Sequence, residues 1–431
     1  EKGRENLVHY SNNFSTANGG GGWGHSGINT ISTGQDGYDG TTNATLIRAS
    51  APSQKHQITL GVAQSLPGTD FSITGVFTLS VHAKPSGYDH LILRSDVNNI
   101  DASFNIATGV VGTKGSKCIA SSMTDVGNGF YRCQATFHHS GSVEFLAIGM
   151  MEQDDTTDFA GSTSKGFILQ DAQLEMGLTA TELIPTSGNA GTAGIKEDEP
   201  RFDYPPFGGA PSLLVEPLRK NEIKQSEYIS ADSSNWFEGR VNTASHQTTS
   251  PEGLDNATKV TATVQASSNT KRIYSNTWSV ADDEVWTASV FLKANTANKI
   301  EVRITSSTEA EIGFGQARFT ADGDGTAEFD SNNQGDSVTI TKLRNGWYRC
   351  TATGTLDSSL SGWTGTARMF IYVMDPDTGA RAYVSDGTES VFLYGAQAEK
   401  GSNSANATSY IPTYGAAATR SADILPEITH G

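Results

Sequence analysis

The chain is poor in the residues that most functional motifs need. Three cysteines in 431 residues cannot make a disulfide framework, and 30 basic residues against 47 acidic ones leave a formal charge of −17. A phosphate backbone is recognised by clustered lysine and arginine, so nucleic acid is not expected as a partner. No run of eighteen apolar residues is present, which excludes insertion of a membrane-spanning helix. Also absent are His-Glu-x-x-His, Gly-x-Ser-x-Gly and any phosphate-cradling glycine loop. Histidine is lopsided: His9, His25, His56, His82, His90, His138 and His139 lie in the first part of the chain, but only His246 precedes His430 in the second.

What the chain does have, it has twice. Asn128-Gly129-Phe130-Tyr131-Arg132-Cys133 returns as Asn345-Gly346-Trp347-Tyr348-Arg349-Cys350. Around that block the order is kept: the segment Phe77 to Lys84 matches Trp286 to Lys293, Ala172-Gln173-x-Glu175 matches Ala396-Gln397-x-Glu399, and Ile184-Pro185-Thr186 matches Ile411-Pro412-Thr413. Upstream, Glu1, Arg4, Asn6 and Ser11 are spaced as Glu216, Arg219, Asn221 and Ser226. A period near two hundred residues is too long for a solenoid repeat and fits the duplication of a whole globular module. The lead-in Pro211 to Val215 has no counterpart before Glu1, so the chain is expected to be a piece of something longer.

Each repeat reads as strands. Phe77, Leu79, Val81 and Ala83 alternate with Thr78, Ser80, His82 and Lys84, and Tyr131, Cys133, Ala135 and Phe137 alternate with polar residues. Phe145 to Met151 and Met369 to Met374 are continuous apolar runs, as in a central strand. The fold class expected is all-β, with two tandem jelly-roll β-sandwich domains at 1–190 and 218–431. The linker between them, 191–217, carries the charged stretch Lys196 to Glu199 and then Pro200-Arg201-Phe202-Asp203-Tyr204-Pro205-Pro206-Phe207, read as a semi-rigid connection whose aromatics dock. The equivalent Cys133 and Cys350 read as buried free thiols, with Cys118 facing Cys133 across a hairpin near Asp125 as the alternative, and assembly in a reducing cytosol is expected.

Sugar binding needs an aromatic face with planar polar groups around it. The sheet face away from the core offers His82 and Lys84 in the first repeat and Phe291 and Lys293 in the second. The neighbouring strand adds Arg132 beside Phe130, and Trp347 with Arg349. Tyr38, in Asp36-Gly37-Tyr38-Asp39-Gly40, reads as loop-exposed and ligand-like, whereas the equivalent Trp23 and Trp236 read as anchors. Packing under a loop or the other module is the competing reading for each aromatic. Asp154 with Asp155, and Asp375 with Asp377, occupy matching loops and are the candidates for a structural Ca²⁺; no other cofactor is expected. Asp322-Gly323-Asp324-Gly325 lacks the ligand spacing of a calcium loop and reads as a turn. Asn43, Asn256 and Asn406 each open an Asn-x-Thr glycosylation pattern.

The ordered set Pro200 to Tyr204, Leu213-Leu214-Val215-Glu216-Pro217-x-Arg219-x-Asn221, Asn345 to Cys350, Gly395-Ala396-Gln397, Thr408 to Thr413 and Ala418 to Asp423 resembles the β-sandwich module of tailed-bacteriophage head fibres, tail fibres and spikes, which is itself similar to carbohydrate-binding modules. The first repeat departs from it at its close, where Thr181-Glu182-Leu183 stands for Thr-Ser-Tyr. The resemblance implies a non-enzymatic virion surface protein, assembled in the host bacterial cytoplasm, homotrimeric, attached to other virion proteins and binding glycans. In that setting the glycosylation patterns stay unmodified. Its rivals are a purely structural spacer or decoration protein and the accessory glycan-binding region of a secreted polysaccharide-degrading enzyme.

Overall fold

A computed structural model describes residues 4–15, 22–61, 73–95, 97–143, 145–194, 201–306, 312, 316–329, 335–401 and 407–423. Glu1, Lys196 to Pro200, Asn406 and His430, which figured in the sequence reading, lie outside the described residues. The fold is all-β and the chain divides into two compact units, Gly3–Gly194 and Ile195–Gly431 with Glu1–Lys2.

In the first unit a long-strand sheet runs in the order Cys118–Gly127, Phe130–Val143, Ile73–Ser86, Gly166–Met176, Ala44–Ala49, Ile28–Gln35. The facing sheet runs Val110–Lys114, Asp101–Asn105, His90–Ser95, Phe145–Met151, Gln57–Gly61, Gly24–Ser26. All these pairings are antiparallel. Residues from both sheets, among them Leu79, Val81, Cys133, Leu93 and Ile148, share one core, so the unit is a two-layer sandwich.

The second unit repeats this plan strand for strand. Its long-strand sheet is Ser337–Lys342, Trp347–Thr355, Val285–Ala294, Ser390–Gly401, Ala257–Ala262, Val241–Thr248; the facing sheet has the main path Thr326–Phe329, Ala317–Thr320, Lys299–Thr305, Thr366–Val373, Gln265–Ser275, Trp236–Gly239. Val290, Tyr348, Cys350, Val302 and Ile371 meet in its core.

The repeated residues explain themselves as scaffold. Asn128-Gly129 and Asn345-Gly346 all have φ between 54° and 76°, the left-handed backbone of a tight turn entering the buried strand. The period of two then sends Cys133 and Cys350 inward and Arg132 and Arg349 outward, with Tyr348 buried and Tyr131 packed against the core. Asn6 is a buckle between the two ends of its unit: Nδ2 donates to the carbonyls of Ala172 and Ile184, and Oδ1 accepts from the amides of Val8 and Leu174. Asn221 makes the corresponding four bonds to Ala396, Ile411, Ile223 and Ala398. Beside each buckle the strand that carries the asparagine pairs with the last strand of its unit, Arg4–Asn6 with Gly191–Ala193 and Arg219–Asn221 with Ala418–Arg420. Trp23 and Trp236 are buried and donate to the carbonyls of Tyr10 and Gln225.

The three thiols are free and buried. Cys118 stands opposite Phe137, and Met123 opposite Cys133, so the hairpin register keeps the two cysteines apart. The stretch expected as a docked linker is placed differently. Arg201–Asp203 pairs with Ser212–Leu214, and Arg201 bridges Asp423 and Glu216, closing the second unit. Its aromatics are not packed into the second unit: Tyr204 is 68% and Phe207 66% exposed, while the hairpin is held by the Arg201 bridges.

Candidate functional site

The outward face of the long-strand sheet gathers the residues singled out in the first repeat. Tyr38 lies flat on His82, ring centroids 4.1 Å apart and planes 13° from parallel. Its hydroxyl donates to Asp171 Oδ2 at 2.9 Å and its amide to Gln170 Oε1 at 3.0 Å. Asn12 Nδ2 donates to the other Asp171 oxygen at 2.6 Å. Arg132 crosses the sheet to the Thr181 carbonyl and Ser80, and Lys84 lies over Phe130. Burial, with the like charge of Arg132 second, pulls His82 down to about 4, and burial next to Asp171 pushes the Tyr38 phenol up. Tyr38 is half-buried and is the cover of His82, which is 5% exposed.

In the second unit the same place is filled by rings. Phe291 stands where His82 does and is packed by Tyr394, at 5.9 Å, and edge-on by Tyr410, at 6.0 Å. Trp347 is wholly buried and donates to the Thr249 carbonyl; Arg349 lies over Phe291 and bonds the Thr408 carbonyl; Lys293 is half-buried. Tyr410 is held by Ser226 and Glu227. The eight residues thus assemble as two equivalent clusters. The open stacking face expected of Phe291 and Trp347 is covered, since strand alternation puts them off the core but the Thr249 loop and Tyr410 lie on top.

The carboxylates considered for Ca²⁺ serve turns. Asp154 accepts from Ser103 Oγ, Thr113 Oγ1 and the Thr113 amide; against the opposing effect of burial, these bonds hold its carboxyl below the usual range. Asp375 accepts from the amides of Asp377 and Thr378 in the same way. Asp155 and Asp377 are exposed, and no cluster of three metal-ligating side chains exists among the described residues. Asp322 to Gly325 is the expected turn, closed by the Gly325 amide on the Asp322 carbonyl. Of the glycosylation patterns, Asn256 is buried and Asn43 exposed.

A second surface was missed. On the outward face of the facing sheet in the second unit, register aligns Phe237, Tyr274, Phe370 and Arg303 across four strands, and next to them Gly239, Arg272, Tyr372, Glu301 and Arg318 across five. The rings stack in sequence, Phe237 on Tyr274 at 5.2 Å, Tyr274 on Phe370 at 4.8 Å and Phe370 on Tyr372 at 5.9 Å, with planes 16° to 21° from parallel. Arginines lie over them: Arg272 on Tyr274 and Phe370, Arg368 on Tyr274, Arg381 on Tyr372. Glu301, fully buried, is within 3.2 to 3.5 Å of Arg303, Arg381 and Arg318. Phe237, at the edge, is 42% exposed, while Phe370 is 1% exposed. The signal was present as a period-two alternation, Arg272 then Tyr274, Glu301 then Arg303, Phe370 then Tyr372.

The equivalent face of the first unit carries Gly24, Thr59, Ala147 and Arg94 in one row and Ser26, Gln57, Gly149 and Ile92 in the next. Where Tyr372 stands in the second unit the first has Gly149, and a shallow hollow lies there between Gln57, Ile92, Arg94 and Lys55. The aromatic ladder is therefore a property of one unit. Neither a comparison with protein-family models nor a search of curated proteins finds a match to this chain.

Proposed function

We propose that this chain is a non-enzymatic glycan-attachment protein of a virion surface, built from two jelly-roll modules that arose by duplication, and that the ladder from Phe237 to Tyr372 is its sugar-facing surface. The observation that carries the reading is the ladder's restriction to one unit. A spacer needs only the scaffold, which the two units share down to the Asn6 and Asn221 buckles; a ring-and-guanidinium surface added to one sheet face and left off the other is what acquired binding produces. Phe237, the exposed ring at the edge, offers aromatic area to the CH face of a pyranose, and the half-exposed arginines offer planar donors to its oxygens.

An open sheet face leaves much of a sugar hydrated, so a single site is expected to bind at about millimolar strength, roughly −4 kcal/mol, with adhesion coming from many copies on one particle. Assembly as a homotrimer together with other virion proteins belongs to the same proposal and is checked by light scattering. The test of binding is the full chain on a broad glycan array beside its Phe237→Ala variant. Selective binding lost in the variant supports the reading; no binding to any glycan favours the spacer.

A further inference from the structure

We infer that the ladder selects an acidic glycan, one bearing carboxylate or sulfate groups, over a neutral one. The inference rests on the reading of the ladder as the sugar-facing surface and concerns which chemistry that surface presents. The inner rings are already occupied. Arg272 lies 5.8 Å from the Tyr274 centroid and 5.7 Å from that of Phe370, Arg368 lies 5.3 Å from Tyr274, and Arg381 lies 5.2 Å from Tyr372. Phe370 and Tyr372 are almost wholly buried as a result, whereas Arg272, Arg318, Arg368 and Arg381 are half-exposed. A neutral sugar stacking on Phe370 or Tyr372 would have to displace guanidiniums that are attracted to those rings. The outer layer met by a ligand is the guanidiniums themselves, whose forked donors match an oxyanion in two hydrogen bonds.

Charge points the same way. Among the described residues the ladder holds five arginines, at 272, 303, 318, 368 and 381, against Glu301 within it and Glu328 opposite Arg318 at its rim, which leaves five minus two, or +3, on one sheet face of a chain whose formal charge is −17. Glu301 is buried beneath Arg303, Arg318 and Arg381, so it orders them without presenting its own charge to solvent. The Arg368 Nε is buried and has no hydrogen-bond partner. The equivalent face of the first unit has Arg94 opposite Asp101 instead, a balanced pair. An acidic chain repels polyanions over most of its surface, so binding of one requires a local site such as this.

The experiment uses the full chain and matched polymers: polygalacturonate against its methyl ester, and dextran sulfate against dextran. Binding is measured by affinity electrophoresis at low and at physiological salt for the wild type, Arg272→Ala/Arg368→Ala and Arg272→Lys/Arg368→Lys. Circular dichroism melting confirms that each variant is folded. The expected result is binding of at least one acidic polymer tenfold or more tighter than its neutral partner, weakened by salt, lost tenfold or more in the alanine variant and only partly restored by lysine, which keeps the charge without the fork. Equal binding to acidic and neutral partners, or acidic binding untouched by the alanine substitutions in a folded protein, overturns the inference. Binding of neutral polymers alone overturns it while leaving glycan attachment standing, and absence of binding to all four, together with an empty glycan array, removes both.

Discussion

Phe370 and Ala147 occupy the same position on the same strand of the same sheet, as do Tyr372 and Gly149, yet one pair stands in a ladder of four stacked rings and the other pair carries almost no side chain. Asn6 and Asn221, in contrast, make the same four bonds to the same four places. The positions kept alike are those whose loss leaves backbone groups buried without partners. The positions that differ lie outside the two cores, where side chains change without disturbing the sandwich. On the long-strand sheet the difference is of another kind: both units cover the His82 or Phe291 site with a tyrosine, Tyr38 in one and Tyr410 in the other, delivered from opposite ends of the unit.

The comparison is tested most severely by Asn6→Ala and Asn221→Ala. Each strands several buried backbone groups and is expected to destabilise its own unit by roughly 4 kcal/mol. Denaturant unfolding followed by tryptophan fluorescence reports mainly the second unit, which holds five of the six tryptophans, while far-ultraviolet circular dichroism reports both. A large loss in one unit and none in the other would break the equivalence of the buckles. Next, Phe291→Ala empties a packed ring site and should cost about 3 kcal/mol in the second unit. An unchanged melting temperature would mean that Tyr394 and Tyr410 do not cover it.

The His82 site differs from that of Phe291 in its response to acid. Burial, with Arg132 second, lowers His82 from 6.5 to about 4, so the unfolded chain binds the proton first as pH falls. Its contribution is complete above about pH 6.5 and is lost between there and pH 4, about 2 kcal/mol of it by pH 5. In thermal melts from pH 7 to 4, His82→Phe, which copies the second unit, should flatten the acid loss of the first; an identical slope in the variant would sink this. The smallest effect is expected at the ladder's edge. Phe237→Ala should cost about 1 kcal/mol, because a ring 42% exposed loses one stacking partner, and calorimetric melting of the variant checks it.

Much of this was legible in the sequence and the limits were physical. The alternation from Phe77 to Lys84 and the Asn-Gly turns specify strands, faces and the inward cysteines, because a period of two is a local property. Whether an outward residue is covered is not local. Trp347 leaves the core by alternation and is buried all the same by the loop at Thr249. The ladder was hidden for a related reason: Met369 to Met374 is apolar throughout and reads as a strand buried on both faces, and only the register with Gln265–Ser275 and Lys299–Thr305 shows that Phe370 and Tyr372 lie among arginines. The hairpin from Arg201 is not legible in the sequence because its prolines suggest a stiff connection, whereas Arg201 reaches across sequence to Asp423.

The pairing of first with last strand has a mechanical consequence. In the first unit the residue that begins the first strand lies opposite the residue that ends the last, Arg4 against Ala193; in the second the matching pair, Arg219 against Arg420, lies behind the Arg201 bridge to Asp423. A pull applied through the two ends of the first unit therefore acts across this short ladder and not along it, so its hydrogen bonds yield one after another like a zip, while the sandwich behind feels no load until the buckle at Asn6 is reached; in the second unit the Arg201 bridge to Asp423 takes the load first. In a tether under tension, resistance begins at Asn6 in the first unit and at the Arg201 bridge in the second.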